Sequence, residues 1–208
     1  MPPPTPRAAP KPWPLKWVAA VIVVSVALYT FLTLQFRKPG PAYRPYQDAQ
    51  DRATTARLLA GGWSRLPADV SRPADPAKPA ATSAAIRRES PGLGAELEAA
   101  FAEKPPLLAS VGGVVAPAEV ARGEDYRAYF KGTLADQGTQ LAEVAAYRRG
   151  NTVVLIPTIE RLPDAALLSR WAEAPYQVRI PTQALPPGRY EVRLAAQRAG
   201  AAWSFSVR

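Results

Sequence analysis

The twenty residues from Trp17 to Phe36, WVAAVIVVSVALYTFLTLQF, contain no charged side chain. At about 1.5 Å per residue, a helix of this length is about 30 Å long, which matches the hydrocarbon thickness of a bilayer. Lys16 precedes the segment and Arg37 follows it, and long cationic side chains at such positions reach the lipid headgroups. The segment therefore predicts a transmembrane helix over residues 17–36, and the rest of the chain has to be placed relative to a membrane.

A cleaved signal peptide is the alternative interpretation of this segment. Ser25-Val26-Ala27 offers the small residues of a cleavage site, but the apolar run continues well beyond Ala27. We therefore expect an uncleaved anchor in the bacterial inner membrane. The positive charges on its two sides are nearly balanced, so length decides the orientation. A proline-rich tail of residues 1–16 is easily left in the cytoplasm, and the long C-terminal part is expected to lie in the periplasm or outside the cell.

The composition excludes whole classes of function. The chain has 208 residues and a formal net charge of +9, with no cysteine, no histidine and one methionine. Haem, copper and ordinary zinc sites would therefore have almost no ligands, and a Ser-His-Asp triad is impossible. We expect no enzymatic activity, no catalytic residue, no cofactor, no metal and no disulfide. The basic excess reflects either compositional bias or attraction to anionic lipid headgroups. Its cations are scattered, so nucleic-acid binding is not expected.

Residues 37–66 form the segment next to the predicted anchor. Pro39, Pro41 and Pro45 prevent a continuous helix out of the membrane, and a new helix is predicted to begin near Tyr46 and to end at Gly61-Gly62. Its apolar face is thin and mostly alanine, which suits close packing against another helix or a membrane surface. A solvated spacer helix is the equally weighted alternative.

The aromatic and basic residues of this segment are the first candidates for contact with a partner protein. The candidate residues are Tyr43, Tyr46, Arg52, Arg57, Leu59 and Trp63.

Residues 67–92 are rich in proline and alanine and predict a disordered linker. A short helix is predicted within residues 93–106, where Leu93, Leu97 and Phe101 share one face and Pro105 ends the helix.

From residue 107 the pattern becomes that of short strands separated by turns. The predicted strands are Val111–Ala116, Tyr126–Leu134, Leu141–Tyr147, Thr152–Pro157, Tyr176–Ile180, Tyr190–Ala196 and Ala202–Val207. Seven short strands in about 100 residues are typical of an antiparallel β-sandwich of the immunoglobulin-like type, so we predict a mainly β chain with this sandwich over residues 107–208. Pro163–Ala172 instead predicts a helical turn, with Leu167, Leu168 and Trp171 packing across an end of the sandwich.

The segment Leu185–Ala196, LPPGRYEVRLAA, combines a proline-glycine corner with an aromatic residue that begins an alternating strand. Together with the single anchor and the aromatic-basic helix ending at Gly62-Trp63, it resembles accessory proteins of the FixH/CcoH type. Those are single-pass proteins with a small periplasmic β-domain that assist the assembly of cytochrome oxidase. The resemblance covers the anchor, residues 43–63 and residues 185–207, and it implies a membrane-embedded oxidase subunit as partner.

Two functional hypotheses follow. In the first, the chain is a non-catalytic interaction or assembly factor for an integral membrane complex. In the second, the sandwich is a membrane-anchored module that binds an envelope ligand such as a glycan or a peptide. Exposed aromatic residues on one face, with Trp171 and Trp203 as candidates, would support the second hypothesis.

Overall fold

A computed structural model describes residues 14–35, 45–73, 83–163 and 167–208. The chain divides into two compact units, Met1–Arg44 and Pro45–Arg208. Tyr43 and Phe36, and most of the N-terminal tail, lie outside the described residues.

The described part of the first unit, residues 14–35, contains one helix, α1, which spans Leu15–Gln35. Among the described residues it is the one helix that is long and apolar enough to cross a membrane, a property that an anchor shares with a signal sequence. The hydroxyl of Thr30 donates to the carbonyl of Val26 at 2.8 Å, and that of Thr33 donates to the carbonyl of Tyr29 at 2.9 Å. The hydroxyls of Thr30 and Thr33 are thus satisfied within the helix itself, as a lipid environment would require.

The second unit begins with a helix that confirms the one predicted from the sequence. This helix, α2, spans Pro45–Ala60, and Gly61-Gly62 follows it directly. A shorter helix, α3, spans Ala95–Ala100 within the range where a short helix is predicted. Phe101 ends α3 in an extended conformation ahead of Pro105 and Pro106.

The remainder of the unit is built from two β-sheets in a sandwich-like arrangement, so the chain is mainly β, as predicted. The strands of the first sheet, sheet A, are β1 (Ser64–Leu66), β3 (Arg87–Glu89), β5 (Glu119–Val120), β7 (Thr139–Arg149), β8 (Thr152–Arg161), β10 (Gly188–Leu194) and β11 (Gly200–Val207). Those of the second sheet, sheet B, are β2 (Asp69–Ser71), β4 (Ser110–Val115), β6 (Asp125–Thr133) and β9 (Glu173–Pro181).

The strand order is β1-β7-β8-β10-β11-β3 in sheet A, with β5 also paired to β11, and β2-β9-β6-β4 in sheet B. All seven strands predicted from the sequence are present. Most neighbours are antiparallel, but β10 pairs with β8 in parallel and β5 pairs with β11 in parallel. The two sheets form the predicted sandwich-like arrangement, in which these two pairs of described strands are parallel.

The main core lies between the two sheets, and every second residue of the facing strands points into it. Buried and solvent-facing residues alternate along β6 and β9, as the two-residue period of a strand requires. In this core the ring of Tyr126 stacks on Phe205 at 3.9 Å between centroids, and Tyr190 lies against the same phenylalanine at 5.5 Å. The indole N–H of Trp203 donates to the hydroxyl of Tyr126 at 2.7 Å.

Tyr190 also fixes the corner that the sequence motif at Leu185–Ala196 indicates. Its hydroxyl donates to the carbonyl of Pro186 at 2.7 Å, four residues upstream. This bond has the form of the tyrosine corner that occurs in immunoglobulin-like sandwiches.

Two boundaries predicted from the sequence are wrong. The predicted linker, residues 67–92, contributes β2 to sheet B and β3 to sheet A, although residues 74–82 within it are outside the described residues. Strand β1 also belongs to sheet A, so the sandwich begins well before residue 107. Pairing with a neighbouring strand supplies the order that a proline-rich and alanine-rich composition does not supply by itself.

The segment Pro163–Ala172 also differs from its prediction. Its residues 167–172 are not helical, and Leu167, Leu168 and Trp171 are 49%, 67% and 59% exposed rather than packed. Residues 164–166 are outside the described residues. Trp203, by contrast, is 1% exposed and belongs to the core.

Candidate functional site

Helix α2 ends in a capping motif that leads directly into the packing of the helix on the domain. The N–H of Trp63 donates to the carbonyl of Leu58 at 2.8 Å, and that of Gly62 donates to the carbonyl of Leu59 at 3.0 Å. Gly62 has a φ of 76°, the left-handed conformation that this Schellman motif requires. The motif brings Leu58 and Trp63 together, and these side chains are 4% and 6% exposed.

Leu58 and Trp63 belong to a second apolar cluster, on the outer face of sheet A. The buried residues of this cluster are Leu58, Trp63, Leu97, Ala100, Leu107, Ala145, Val154, Ile156 and Ala195. Helices α2 and α3 therefore cover the side of the sheet that faces away from the main core. Leu58 and Trp63 make this contact, whereas Ala49, Ala56 and Ala60 of the expected alanine-rich face are exposed.

Polar contacts reinforce the end of α2 and its contact with the loop after α3. The guanidinium carbon of Arg149 lies 4.7 Å from the ring centroid of Trp63, and the same guanidinium forms an ion pair with Glu96. The N–H of Ala102 donates to the hydroxyl of Thr54 at 3.1 Å. A cation over an indole is favourable because the ring face carries negative charge.

A groove of about 860 Å³ lies between α2, the segment after α3 and the outer face of β7 and β8. Its apolar lining consists of Leu58, Leu59, Trp63, Phe101, Ala102, Pro105, Ala145, Tyr147 and Ile156. The ring of Phe101 meets that of Tyr147 edge-on, with 6.1 Å between the centroids. An apolar floor of this kind suits a partner segment that offers apolar side chains.

The charged residues that line the same groove are mostly acidic. Asp51, Glu103, Glu143 and Glu160 supply four carboxylates, and Arg65 supplies the one guanidinium. Arg65 pairs with Glu143 at 3.2 Å, and Glu160 accepts a hydrogen bond from the amide of Gln140 at 2.9 Å. The groove is thus locally acidic on a chain whose net charge is +9.

Tyr147 stands between the apolar floor and the charged rim. Burial raises the pKa of its hydroxyl, and the charge of Arg65 opposes this rise while those of Glu143 and Asp51 add to it. The phenol therefore stays neutral and keeps its O–H as a donor over the whole physiological range.

Of the residues predicted for partner contact, the structure describes four by their side chains. Arg52, Arg57 and Leu59 are exposed on α2, and Leu59 is 64% exposed at the margin of the groove. Trp63 is buried against the sheet, so its ring packs within the chain. The remaining two candidates lie at the start of this element: Tyr46 is within α2 but its side chain is not described, and Tyr43 is outside the described residues.

The strand residues of the groove were not predicted as site residues. Glu143, Tyr147 and Glu160 lie on β7 and β8, and the sequence pattern there indicates only alternating strands. The available signal was the outward half of that alternation, which places acidic and aromatic side chains on the face that α2 covers. No group of three or more acidic side chains within the described ranges is placed to hold a metal ion.

Comparisons with protein-family models, with curated proteins and with solved structures found no significant match for this chain.

Proposed function

We propose that the chain is a non-catalytic, single-pass protein of the bacterial inner membrane that serves as an interaction or assembly factor for another membrane complex. In this proposal α1 is an uncleaved anchor, its N-terminus is cytoplasmic, and the unit Pro45–Arg208 lies outside the cytoplasm. The observation that carries the proposal is the groove beside α2, which combines an apolar floor with an acidic rim.

The location of the groove supports a partner in the same membrane. Helix α2 is the first described element after α1, and it forms one wall of the groove. In this proposal the anchor keeps the chain in the same membrane as its partner, so that a segment of the partner projecting beyond the bilayer can reach the groove. Confinement of this kind raises the effective concentration of two weakly interacting surfaces.

The chemistry of the groove indicates what such a segment would offer. Apolar side chains would lie on Ala145, Tyr147 and Ile156, and lysine or arginine side chains would face the carboxylates of the rim. Complementary charge increases the association rate and sets the register, while the apolar contacts supply most of the affinity. From the resemblance to FixH/CcoH-type proteins, we propose that this segment belongs to a subunit of a respiratory oxidase.

The test is co-purification of the full-length chain from its own membranes in mild detergent, with mass spectrometry of what it retains. We expect a specific integral membrane complex with the wild-type chain and its loss with the double variant Glu143→Lys/Glu160→Lys. Glu124→Lys is the matched control, because Glu124 is exposed and does not line the groove. Retention of the same complex by the double variant would show that the groove is not the contact.

The second hypothesis, a module for an envelope glycan or peptide, predicts a different result. The purified unit of residues 45–208 would then retain a soluble ligand without any membrane complex. The exposed Trp171 supports this hypothesis, because its ring is accessible to a ligand, whereas the buried Trp203 does not support it.

A further inference from the structure

Exposed apolar side chains in the second unit are concentrated in one loop. Among the described residues of that unit, five large apolar side chains are exposed: Leu59, Ile86, Leu167, Leu168 and Trp171. Three of the five fall within the loop that follows β8. Scattered exposed apolar residues are ordinary, but a group of this size on one loop indicates a contact surface.

The loop is attached to a defined end of the sandwich. The N–H of Ser169 donates to the carbonyl of Gln137 at 2.6 Å, and that of Leu162 donates to the carbonyl of Gly138 at 2.9 Å. Both acceptors belong to the turn that precedes β7. The exposed group therefore lies at the end of the β7–β8 hairpin where Thr139 pairs with Arg161, opposite the hairpin turn at Gly150-Asn151.

Gln50 and Asp51, in the first half of α2, line the same groove as Glu160, which lies near this end of the β7–β8 hairpin. The last turn of α2 lies at the other end, where Trp63 packs under Arg149 beside the hairpin turn. Earlier in the helix, the hydroxyl of Thr54 accepts a hydrogen bond from the N–H of Ala102. Four residues after Ala102, the carbonyl of Pro106 accepts one from the N–H of Ile159, near the end of β8. The first half of α2 therefore lies nearer than its last turn to the end of the sandwich that carries the exposed loop.

We propose that Leu167, Leu168 and Trp171 insert into the surface of the bilayer that holds α1, as a second and weaker attachment of the chain. The inference rests on the membrane anchor in the proposed function and is independent of the partner. A tryptophan ring prefers the headgroup level, and leucines beside it reach the acyl boundary. Arg170 lies between them, with its guanidinium carbon 5.4 Å from the Trp171 centroid, where it can contact lipid phosphate while the ring is inserted.

Several features favour a lipid surface over a protein groove as the occupant. Three apolar residues give only weak membrane binding by themselves, and stable attachment takes a second signal. The predicted anchor supplies that signal, because residues 36–44 form a connection of only nine residues to the start of α2. Two arginines, Arg161 and Arg170, are exposed on or beside the loop, while the nearby Glu173 is paired with Lys131 at 3.8 Å.

The absence of cysteine from the chain allows a direct test with a single spin label. The full-length chain carrying Leu168→Cys is labelled with a nitroxide and reconstituted into phosphatidylcholine vesicles containing phosphatidylglycerol. Asn151→Cys is the matched control, because Asn151 is exposed in the hairpin turn at the opposite end. We expect the label at position 168 to be severalfold more accessible to oxygen than to a water-soluble nickel complex, and the label at position 151 to show the reverse.

A second set of variants separates lipid insertion from other causes of protection. Leu167→Ser/Trp171→Ser in the Leu168→Cys background should shift the label at position 168 towards the accessibility of position 151, and both replaced side chains are exposed, so the fold is retained. Equal accessibility at 168 and 151 would overturn the inference. Protection that disappears when the protein is diluted with excess lipid would also overturn it, because contact with a second copy would then be the cause. Failure of the chain to remain with the vesicles would instead refute the anchor itself.

Discussion

At the scale of single residues, Tyr126 makes the free energy of unfolding of the domain decrease at alkaline pH. Burial raises the pKa of its hydroxyl, and the hydrogen bond from Trp203 lowers it by a smaller amount. An unfolded tyrosine ionises near pH 10, whereas the folded one remains neutral there. The contribution of the neutral Tyr126 to the free energy of unfolding is therefore complete below about pH 10. Above that pH the free energy of unfolding decreases by about 1.4 kcal/mol per pH unit, because the unfolded tyrosine ionises and the folded one does not.

Tyr126→Phe should remove this dependence while it lowers stability by a constant amount, since the Trp203 N–H then loses its acceptor. The measurement is the free energy of unfolding in urea for the full-length chain in detergent micelles, between about pH 8 and 11. The two curves should run parallel below pH 10 and converge above it. Curves that stay parallel throughout would show that Tyr126 ionises equally in both states.

At the scale of secondary-structure elements, α2 offers two neighbouring leucines with opposite surroundings. Leu58 is buried between the helix and sheet A, and Leu59 is 64% exposed. Leu58→Ala should lower the free energy of unfolding by about 2–5 kcal/mol, because it leaves a cavity in the second apolar cluster. Leu59→Ala should change it by less than about 0.5 kcal/mol.

Urea unfolding of both variants measures the difference, and amide hydrogen exchange shows where it acts. Faster exchange along α2 in Leu58→Ala alone would place the loss at the contact between helix and sheet. If both variants behave alike, α2 does not pack on the domain in solution.

The elements also show what the sequence could predict. Seven strands and α2 follow from alternation, turn residues and the Gly61-Gly62 stop, all of which are local signals. The three strands β1, β2 and β3 have three residues each and no alternation long enough to recognise. Their order comes from partners distant in the sequence, such as Arg179 for Asp69, which a local pattern does not contain.

Only the α2 part of the site could be predicted, because local sequence patterns do not contain contacts between distant segments. Helical spacing places Ala53, Ala56, Leu59 and Trp63 near one another along α2, but it does not say what covers them. The structure shows that the sheet covers Trp63 and leaves Leu59 exposed. The carboxylates of the groove come from α2, the segment after α3 and two strands, so their proximity depends on tertiary packing.

At the scale of the whole molecule, the folded domain extends from residue 45 and not from residue 107. A fragment of residues 107–208 lacks β1, β2 and β3 and exposes the outer face of sheet A that the helices cover. Because folded domains are stable by only about 5–15 kcal/mol, we expect this fragment to lose most of its stability. A fragment of residues 45–208 should retain the complete core.

Thermal unfolding followed by circular dichroism compares the two fragments. One cooperative transition for residues 45–208, with a weak or absent transition for residues 107–208, is the expected result. Equal midpoints for the two fragments would mean that the early strands and helices add nothing to the fold.

The direction in which α2 lies on sheet A also determines how the domain responds to mechanical force. Asp51 of α2 lines the groove beside Glu160, Trp63 packs under Arg149 after the end of the helix, and β1 then runs antiparallel to β7. Tension applied at Pro45 along the helix axis would therefore load the contacts of Leu58 and Trp63 in shear. Shear requires these contacts to break together, whereas peeling from the other end would break them one at a time. The contact between α2 and sheet A would therefore resist a pull along the helix axis more strongly than a pull that peels the helix from the sheet.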